Sequence, residues 1–295
     1  MSADDDLQTL TLARSLLFVP AGRPDRYVKA LNSGADAVIV DLEDAVASDA
    51  KERARAQLFD GFLRMSPAQR ARVLVRVNAA NTPWHVEDRA MASRLVAHGL
   101  CAVVLPKTEQ ATDLHALADV LGNACGFLPQ IETLKGLDRV EAIASAPQVV
   151  RLVFGNLDFQ VDLGMRCDAD EAELQPIRLA LIMASRRAGL APPVDGVTLA
   201  THDVPRLQSD VSRSRRCGFG GKLCIHPTQV GHVNAGFVPD SQELAWARQV
   251  VQGYAASGGA VFQLDGRMID APVVHLARRT IALSGDRADC TCARR

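Results

Sequence analysis

Eight short apolar runs, each followed by a stretch with helical spacing, constrain this chain more than any other feature. They cover 16–19, 37–42, 73–77, 102–105, 126–131, 150–154, 194–198 and 222–225. Runs such as Ala37-Val38-Ile39-Val40 and Val73-Leu74-Val75 are apolar at successive positions, so both faces of the strand are covered, whereas an open antiparallel sheet would alternate. Strands alternating with helices form a parallel sheet with crossover helices. Eight such units in 295 residues predict an α/β fold, a (β/α)8 TIM barrel of about 250 residues. The barrel is placed at 1–236. A helix over 243–254 and a short apolar segment ending near 272 form a C-terminal helical extension, 237–295. The stretch 49–65 predicts an outer-ring helix with Ala54, Leu58, Phe62 and Met65 inward and Lys51, Glu52, Arg53 and Arg55 outward. The stretch 201–216, rich in Asp and Arg, reads as a loop.

In such a barrel the chemistry sits at the carboxyl ends of the strands, so the residues that end the runs are the candidates. Run two ends in Asp41-Leu42-Glu43-Asp44, run three in Arg76-Val77-Asn78, run four in Pro106-Lys107, run five in Glu132-Thr133, run six in Gly155-Asn156-Leu157-Asp158 and run eight in His226-Pro227. Glu132 and Asp158 end neighbouring strands, where two hard oxygen ligands suit Mg²⁺ with positions left open for a substrate. Singly, each would read as a helix-terminus acid; together they favour the metal. Arg76 leaves its strand toward the same mouth, where its planar fork could grip a carboxylate or pair with Asp41 or Glu43. Asp41, Glu43 and Asp44 crowd three carboxyls into four positions, which raises a carboxyl pKa unless a cation lies near. Gly22 with Arg23 and Arg26 makes the first loop either an anion site or a solvated basic turn. Lys107 and Lys222 read as phosphate contacts or snorkelling surface lysines, and His226 as a structural imidazole.

Composition narrows the partners. A net charge of -1 and 4% aromatic residues supply neither the basic footprint nor the stacking platforms of a nucleic-acid binder. Seven scattered cysteines do not form a disulfide framework, and Cys290 with Cys292 lacks the further ligands of a zinc site. The acidic start and the absence of a long apolar run predict a cytoplasmic chain with no membrane partner.

The polar strand ends stand inside longer strings. These are Arg14-Ser15-Leu16-Leu17-Phe18-Val19-Pro20, Asp41-Leu42-Glu43-Asp44-Ala45-Val46, Val75-Arg76-Val77-Asn78, Leu105-Pro106-Lys107, Ile131-Glu132-Thr133, Gly218-Phe219-Gly220-Gly221-Lys222 with Ile225-His226-Pro227, and Gly266-Arg267-Met268-Ile269-Asp270-Ala271-Pro272. In this order the sequence resembles the citrate lyase beta subunit and malyl-CoA lyase family, Mg-dependent carbon–carbon lyases of CoA esters within the HpcH/HpaI aldolase superfamily. The resemblance implies a homotrimer or hexamer, Mg²⁺ held by Glu132 and Asp158, and a substrate carboxylate met by Arg76 and the Gly136 N–H. It implies CoA phosphates near Arg23, Arg26 and Lys29. It also implies that the extension caps a neighbouring subunit, offering Asp270 for proton transfer while Glu43 and Asp44 order water. The expected substrates are a CoA ester such as citryl-, malyl- or citramalyl-CoA and a 2-keto acid. An acyl-carrier protein in place of CoA, an aldolase acting on free hydroxy keto acids, and a non-catalytic complex-forming subunit are the alternatives. The string Phe154-Gly155-Asn156-Leu157-Asp158 departs from the family, where many members carry a small residue and an acid before the aspartate, and this points to a divergent branch.

Overall fold

The computed structural model describes residues 3–284; the expectation for Cys290 and Cys292 falls outside them. Strands β1 (Ser15–Pro20), β2 (Ala37–Asp41), β3 (Val73–Arg76), β4 (Ala102–Leu105), β5 (Gly126–Ile131), β6 (Val153–Phe154), β7 (Val194–Asp195) and β8 (Gly221–Cys224) form a closed parallel barrel in sequence order. β8 pairs back onto β1 through Ser15 and Lys222. The chain is therefore the (β/α)8 barrel that its apolar runs predict. It divides into two compact units, Met1–Phe237 and Val238–Arg295.

Strand alternation sorts the barrel residues into two buried sets. Leu16, Ile39, Leu74, Val104, Leu128, Val153, Val194 and Leu223 fill the interior, while Leu17, Val38, Val40, Val73, Val75, Val103 and Phe127 pack outward against the helices. The alternation also places the polar residues. Two positions beyond Ile39, Leu74 and Leu128 on the same interior face come Asp41, Arg76 and Gln130, and Glu132 follows Gln130. The barrel thus changes from an apolar floor to a charged mouth within one side-chain layer.

The amino end is closed by the helix Ala3–Thr11, whose Leu10 joins the interior cluster with Ala13. Arg151, fully buried, ties this segment down by donating to Leu10 O at 3.0 Å, Ala13 O at 2.6 Å and Pro192 O at 2.8 Å. Burial pulls its pKa down to about 10. Arg151→Leu would leave three buried carbonyls without that donor. It is expected to cost about 3 kcal/mol, read by denaturant unfolding, with loss of protection in amide exchange over residues 7–14.

Three sequence expectations are corrected here. Lys51 is not outward: it begins the helix Lys51–Leu63 and is buried, donating to Leu42 O, Glu43 O and Asn78 Oδ1 at 2.6, 2.7 and 2.7 Å. The stretch read as a loop at 201–216 holds a helix, Val204–Cys217. Its charges are spaced to satisfy one another, with Asp210 pairing Arg206 at 3.1 Å and Arg213 at 2.8 Å. Lys222 is neither a surface lysine nor a phosphate contact. It is fully buried behind the barrel, donates to Gly196 O at 2.6 Å, and feels the charges of Asp195, Asp210 and Glu171.

The second unit has its own small core of Ala247, Val250, Ile269, Val274 and Ala277. Helices Ser241–Ala256 and Ala271–Leu283 pack with a hairpin of β9 (Phe262–Leu264) and β10 (Arg267–Ile269). Asp265 and Gly266 turn the hairpin, both with positive φ of 49° and 76°, which suits a two-residue turn ending in glycine. Among the described residues, no helix is long and apolar enough to cross a membrane.

Candidate active site

The carboxyl end of the barrel gathers five acids around two cations. Arg76, at the end of β3, is nearly buried. Its Nε and Nη2 donate to Asp41 Oδ1 and Oδ2 at 2.7 and 2.8 Å, and its guanidinium lies 4.6 Å from the centre of the Phe18 ring. Nη1 stands 3.0 Å from Glu43 Oε2, off the hydrogen-bonding direction, so that oxygen has no hydrogen-bond partner. Burial works against the Arg76 charge, but Asp41 and Glu43 outweigh it and raise its pKa. Of the two readings of Arg76, the ion pair with Asp41 and Glu43 is present. Asp41 is itself fixed by the N–H groups of Glu43 and Ala45 at 2.9 and 3.1 Å.

Glu132 is fully buried at the end of β5. It accepts from the Lys107 N–H and from Gln130 Nε2, both at 2.6 Å. Burial first, then the charges of Glu43 and Asp158, push its pKa up to about 8. Its place depends on Gly155 at the end of β6, where a Cβ would lie 2.1 Å from Glu132 Oε2. Asp158 stands in the first turn of the helix Asn156–Leu163 and is partly exposed. That helix is anchored by Asn156, which accepts from Val197 N at 2.9 Å and donates to Glu171 Oε1 and Val197 O, both at 3.2 Å.

Lys107 joins these groups. Its Nζ lies 2.6 Å from Glu43 Oε1, 3.4 Å from Asp158 Oδ1, 3.8 Å from Asp44 Oδ2 and 3.9 Å from Glu132 Oε1. Burial opposes its charge, yet Glu132, Glu43 and Asp158 raise its pKa. Glu43 still titrates above its ordinary range because of its burial. The structure thus brings Glu43, Asp44, Arg76, Glu132 and Asp158 together. The ammonium at their centre belongs to a residue that the sequence left as a phosphate contact or a surface lysine; its position after Pro106 at a strand end was the available signal. Lys51 and Gln130 were also missed, one holding the Glu43 backbone and the other Glu132.

The remaining candidates have other contacts. Arg23, Arg26 and Lys29 are exposed beyond β1, and Arg23 forks onto Asp25 at 2.9 and 2.7 Å. Gly136 is buried in the short helix Leu134–Asp138. Its N–H points to Thr133 Oγ1 at 3.1 Å, and a Cβ there would meet Thr108 O at 2.5 Å. Asp270, in the second unit, caps the helix Ala271–Leu283 by accepting from Val273 N at 3.3 Å.

Chemically, five acids against Arg76 and Lys107 leave the mouth short of positive charge, even with Glu132 keeping its proton up to about pH 8. Glu43 Oε2 and Gln130 Oε1 are buried without hydrogen-bond partners. Among the described residues no three acids are arranged as a closed metal cage; the oxygen-only pair Glu132 and Asp158 fits a hard divalent cation of the Mg²⁺ type, which takes one or two protein carboxylates and fills its other positions with water or substrate.

The sequence profile of the HpcH/HpaI aldolase/citrate lyase family matches residues 14–227. The chain belongs to this family. That span holds all eight barrel strands and every acid of the mouth, so the HpcH/HpaI assignment rests on the same residues as the geometry. A citrate lyase subunit beta-like protein of Deinococcus radiodurans is 33% identical over 280 residues, covering 92% of this chain and 97% of its own. A (3S)-malyl-CoA thioesterase of Cereibacter sphaeroides is 33% identical over 272 residues, covering 91% and 93%. Among solved structures of the citrate lyase type, the CitE protein of Mycobacterium tuberculosis, in complex with magnesium, acetoacetate and coenzyme A, superposes with a TM-score of 0.82. It is 32% identical, covering 94% of this chain and 100% of its own.

Proposed function

We propose that this chain is a Mg²⁺-dependent lyase that cleaves, or in reverse forms, the carbon–carbon bond of a 3-hydroxyacyl-CoA thioester such as citryl-, malyl- or citramalyl-CoA, giving an acyl-CoA and a 2-keto acid. The observation that carries the reading is the convergence of Glu132, Asp158, Glu43 and Asp44 on one cationic position beside Arg76. It is supported by family relatives that cover nearly the whole chain and by the magnesium and coenzyme A held by the CitE protein.

Glu132 and Asp158 would hold the metal. When bound, it supplies Lewis-acid stabilisation of the oxygen charge that develops as the hydroxyl becomes a ketone, worth several kcal/mol. Arg76 orients the carboxylate of the keto acid with the guanidinium edge that Asp41 fixes from behind. The Gly136 N–H adds a donor at the same carboxylate once the Thr133 hydroxyl turns away. Glu43 and Asp44 order water and the substrate hydroxyl at the mouth. Asp270, supplied by the extension of a neighbouring subunit in a trimer or hexamer, carries the proton to and from C2 of the acyl-CoA. Arg23, Arg26 and Lys29 attract the CoA phosphates from the first loop. A cytoplasmic setting agrees with the thiols of Cys125, Cys167, Cys217 and Cys224.

The deciding experiment follows malyl-CoA and citramalyl-CoA with the metal-stripped protein before and after Mg²⁺ is added. A keto acid released together with acetyl-CoA, only with Mg²⁺, is the expected result. Free CoA with an intact hydroxy acid would instead make the chain a thioesterase, the activity named for the Cereibacter relative, and full activity in EDTA would end the metal reading. Asp270→Asn is expected to lower kcat at least a hundredfold, within the usual reach of a proton-transfer group, with Mg²⁺ affinity unchanged. A large loss of affinity would contradict the assignment.

A further inference from the structure

Lys107 is held in an unusual way. Its backbone stands at φ 45°, a left-handed conformation that costs a lysine about 1 kcal/mol or more. The N–H bond to buried Glu132 is what that turn achieves. The side chain then crosses the mouth to donate to Glu43 Oε1 at 2.6 Å, with Asp158, Asp44 and Glu132 at 3.4 to 3.9 Å from the same ammonium. An ammonium so placed occupies the ground that a divalent cation on Glu132 and Asp158 would need, and two positive charges a few ångströms apart repel strongly in a partly buried site. Room to retreat exists. A cavity of about 400 Å³ adjoins Lys107, lined also by Asn81, Glu109, Asp113, Lys135 and Arg139. Glu109 and Asp113 offer the ammonium new acidic partners: the Glu109 carboxylate lies 3.7 Å from Lys135 Nζ, and Asp113 accepts from Gln110 Nε2 at 3.0 Å.

We propose that Lys107 is a built-in counter-cation with two positions, inward among Glu43, Asp44, Glu132 and Asp158 when the chain carries no metal, and outward in the adjoining cavity when a divalent cation binds these acids. This rests on the metal reading above and deepens it. Lys107 keeps the acids from repelling one another in the empty state, and for the same reason it competes with the metal. The lysine therefore sets the affinity of the site rather than taking part in the bond cleavage.

Isothermal titration of Mg²⁺ into the metal-stripped wild type and Lys107→Met tests this, together with thermal melts of both with and without Mg²⁺. The variant is expected to bind Mg²⁺ about tenfold more tightly, to melt several degrees lower when stripped, and to recover that deficit at saturating Mg²⁺. Lys107→Gln, which keeps a polar end without the charge, serves if the methionine variant does not fold. Unchanged or weaker Mg²⁺ binding in the variant overturns the proposal, as does an unchanged melting temperature of the stripped form. If the wild type itself takes up no Mg²⁺, the metal reading fails and the proposal with it; uptake by the wild type without a gain in the variant defeats the proposal alone.

Discussion

Glu132→Gln is expected to abolish Mg²⁺ uptake and turnover while making the metal-free protein more stable. The two effects have one cause. Glu132 is fully buried beside two other acids, and its pKa is raised from 4.5 to about 8, chiefly by burial. Between those values the unfolded chain has given up the proton and the folded chain keeps it, so stability falls as pH rises through that window and levels off above it. A glutamine does not ionise and escapes the loss. The variant should match the wild type near pH 4.5 and exceed it by about 3 kcal/mol at pH 7, a melting shift of roughly 5–10 °C for a chain of this size. The new amide NH₂ also has an acceptor, since Gln130 Oε1 is buried without a partner and the Gln130 amide can turn to meet it. Melting curves of both stripped proteins across that pH range check the prediction. Parallel curves would show that the wild-type carboxyl titrates normally.

Much of this arrangement was legible in the sequence, for identifiable reasons. The strands were found because burial on both faces makes them continuous apolar runs, and β4 and β5 match their runs residue for residue. β6 and β7 are shorter than their runs. Hydrophobicity reports burial, which extends beyond the strand bounds to Leu152 before β6 and Thr198 after β7. The charged mouth was legible because β2 and β3 carry Asp41 and Arg76 two residues beyond an apolar interior residue, and Glu132 keeps the same face two residues beyond Gln130. What stayed hidden was the fate of the lysines. A lysine in a polar string reads as solvated, yet Lys51, Lys107 and Lys222 all turn inward onto carbonyls and carboxylates contributed by other elements. The pairing of Arg206, Asp210 and Arg213 was hidden likewise, because a charge-rich stretch reads as a loop until its i,i+3 and i,i+4 partners are seen on one face.

Arg76→Met should produce the largest loss of stability among the residues of the mouth. The guanidinium binds both carboxylate oxygens of Asp41 through a two-bond fork, and it also faces Glu43. Methionine would fill its volume over Phe18 but leave Asp41 and Glu43 buried without that charge. Breaking a buried pair from one side costs about 3–5 kcal/mol, a drop of roughly 10 °C in melting temperature for a chain of this length. Arg76→Lys restores a charge but not the fork, so part of the stability should return while turnover stays low. The informative partner is the double variant Arg76→Met with Asp41→Asn. Removing the stranded carboxylate should recover most of the lost stability, because Asn can still accept from the Glu43 N–H at the turn that follows β2, and it should recover none of the turnover. Recovery of both would mean that Arg76 serves the scaffold alone. A single variant within about 1 kcal/mol of the wild type, the range of an exposed pair, would mean that water reaches Asp41 and that the mouth is wetter than its burial indicates.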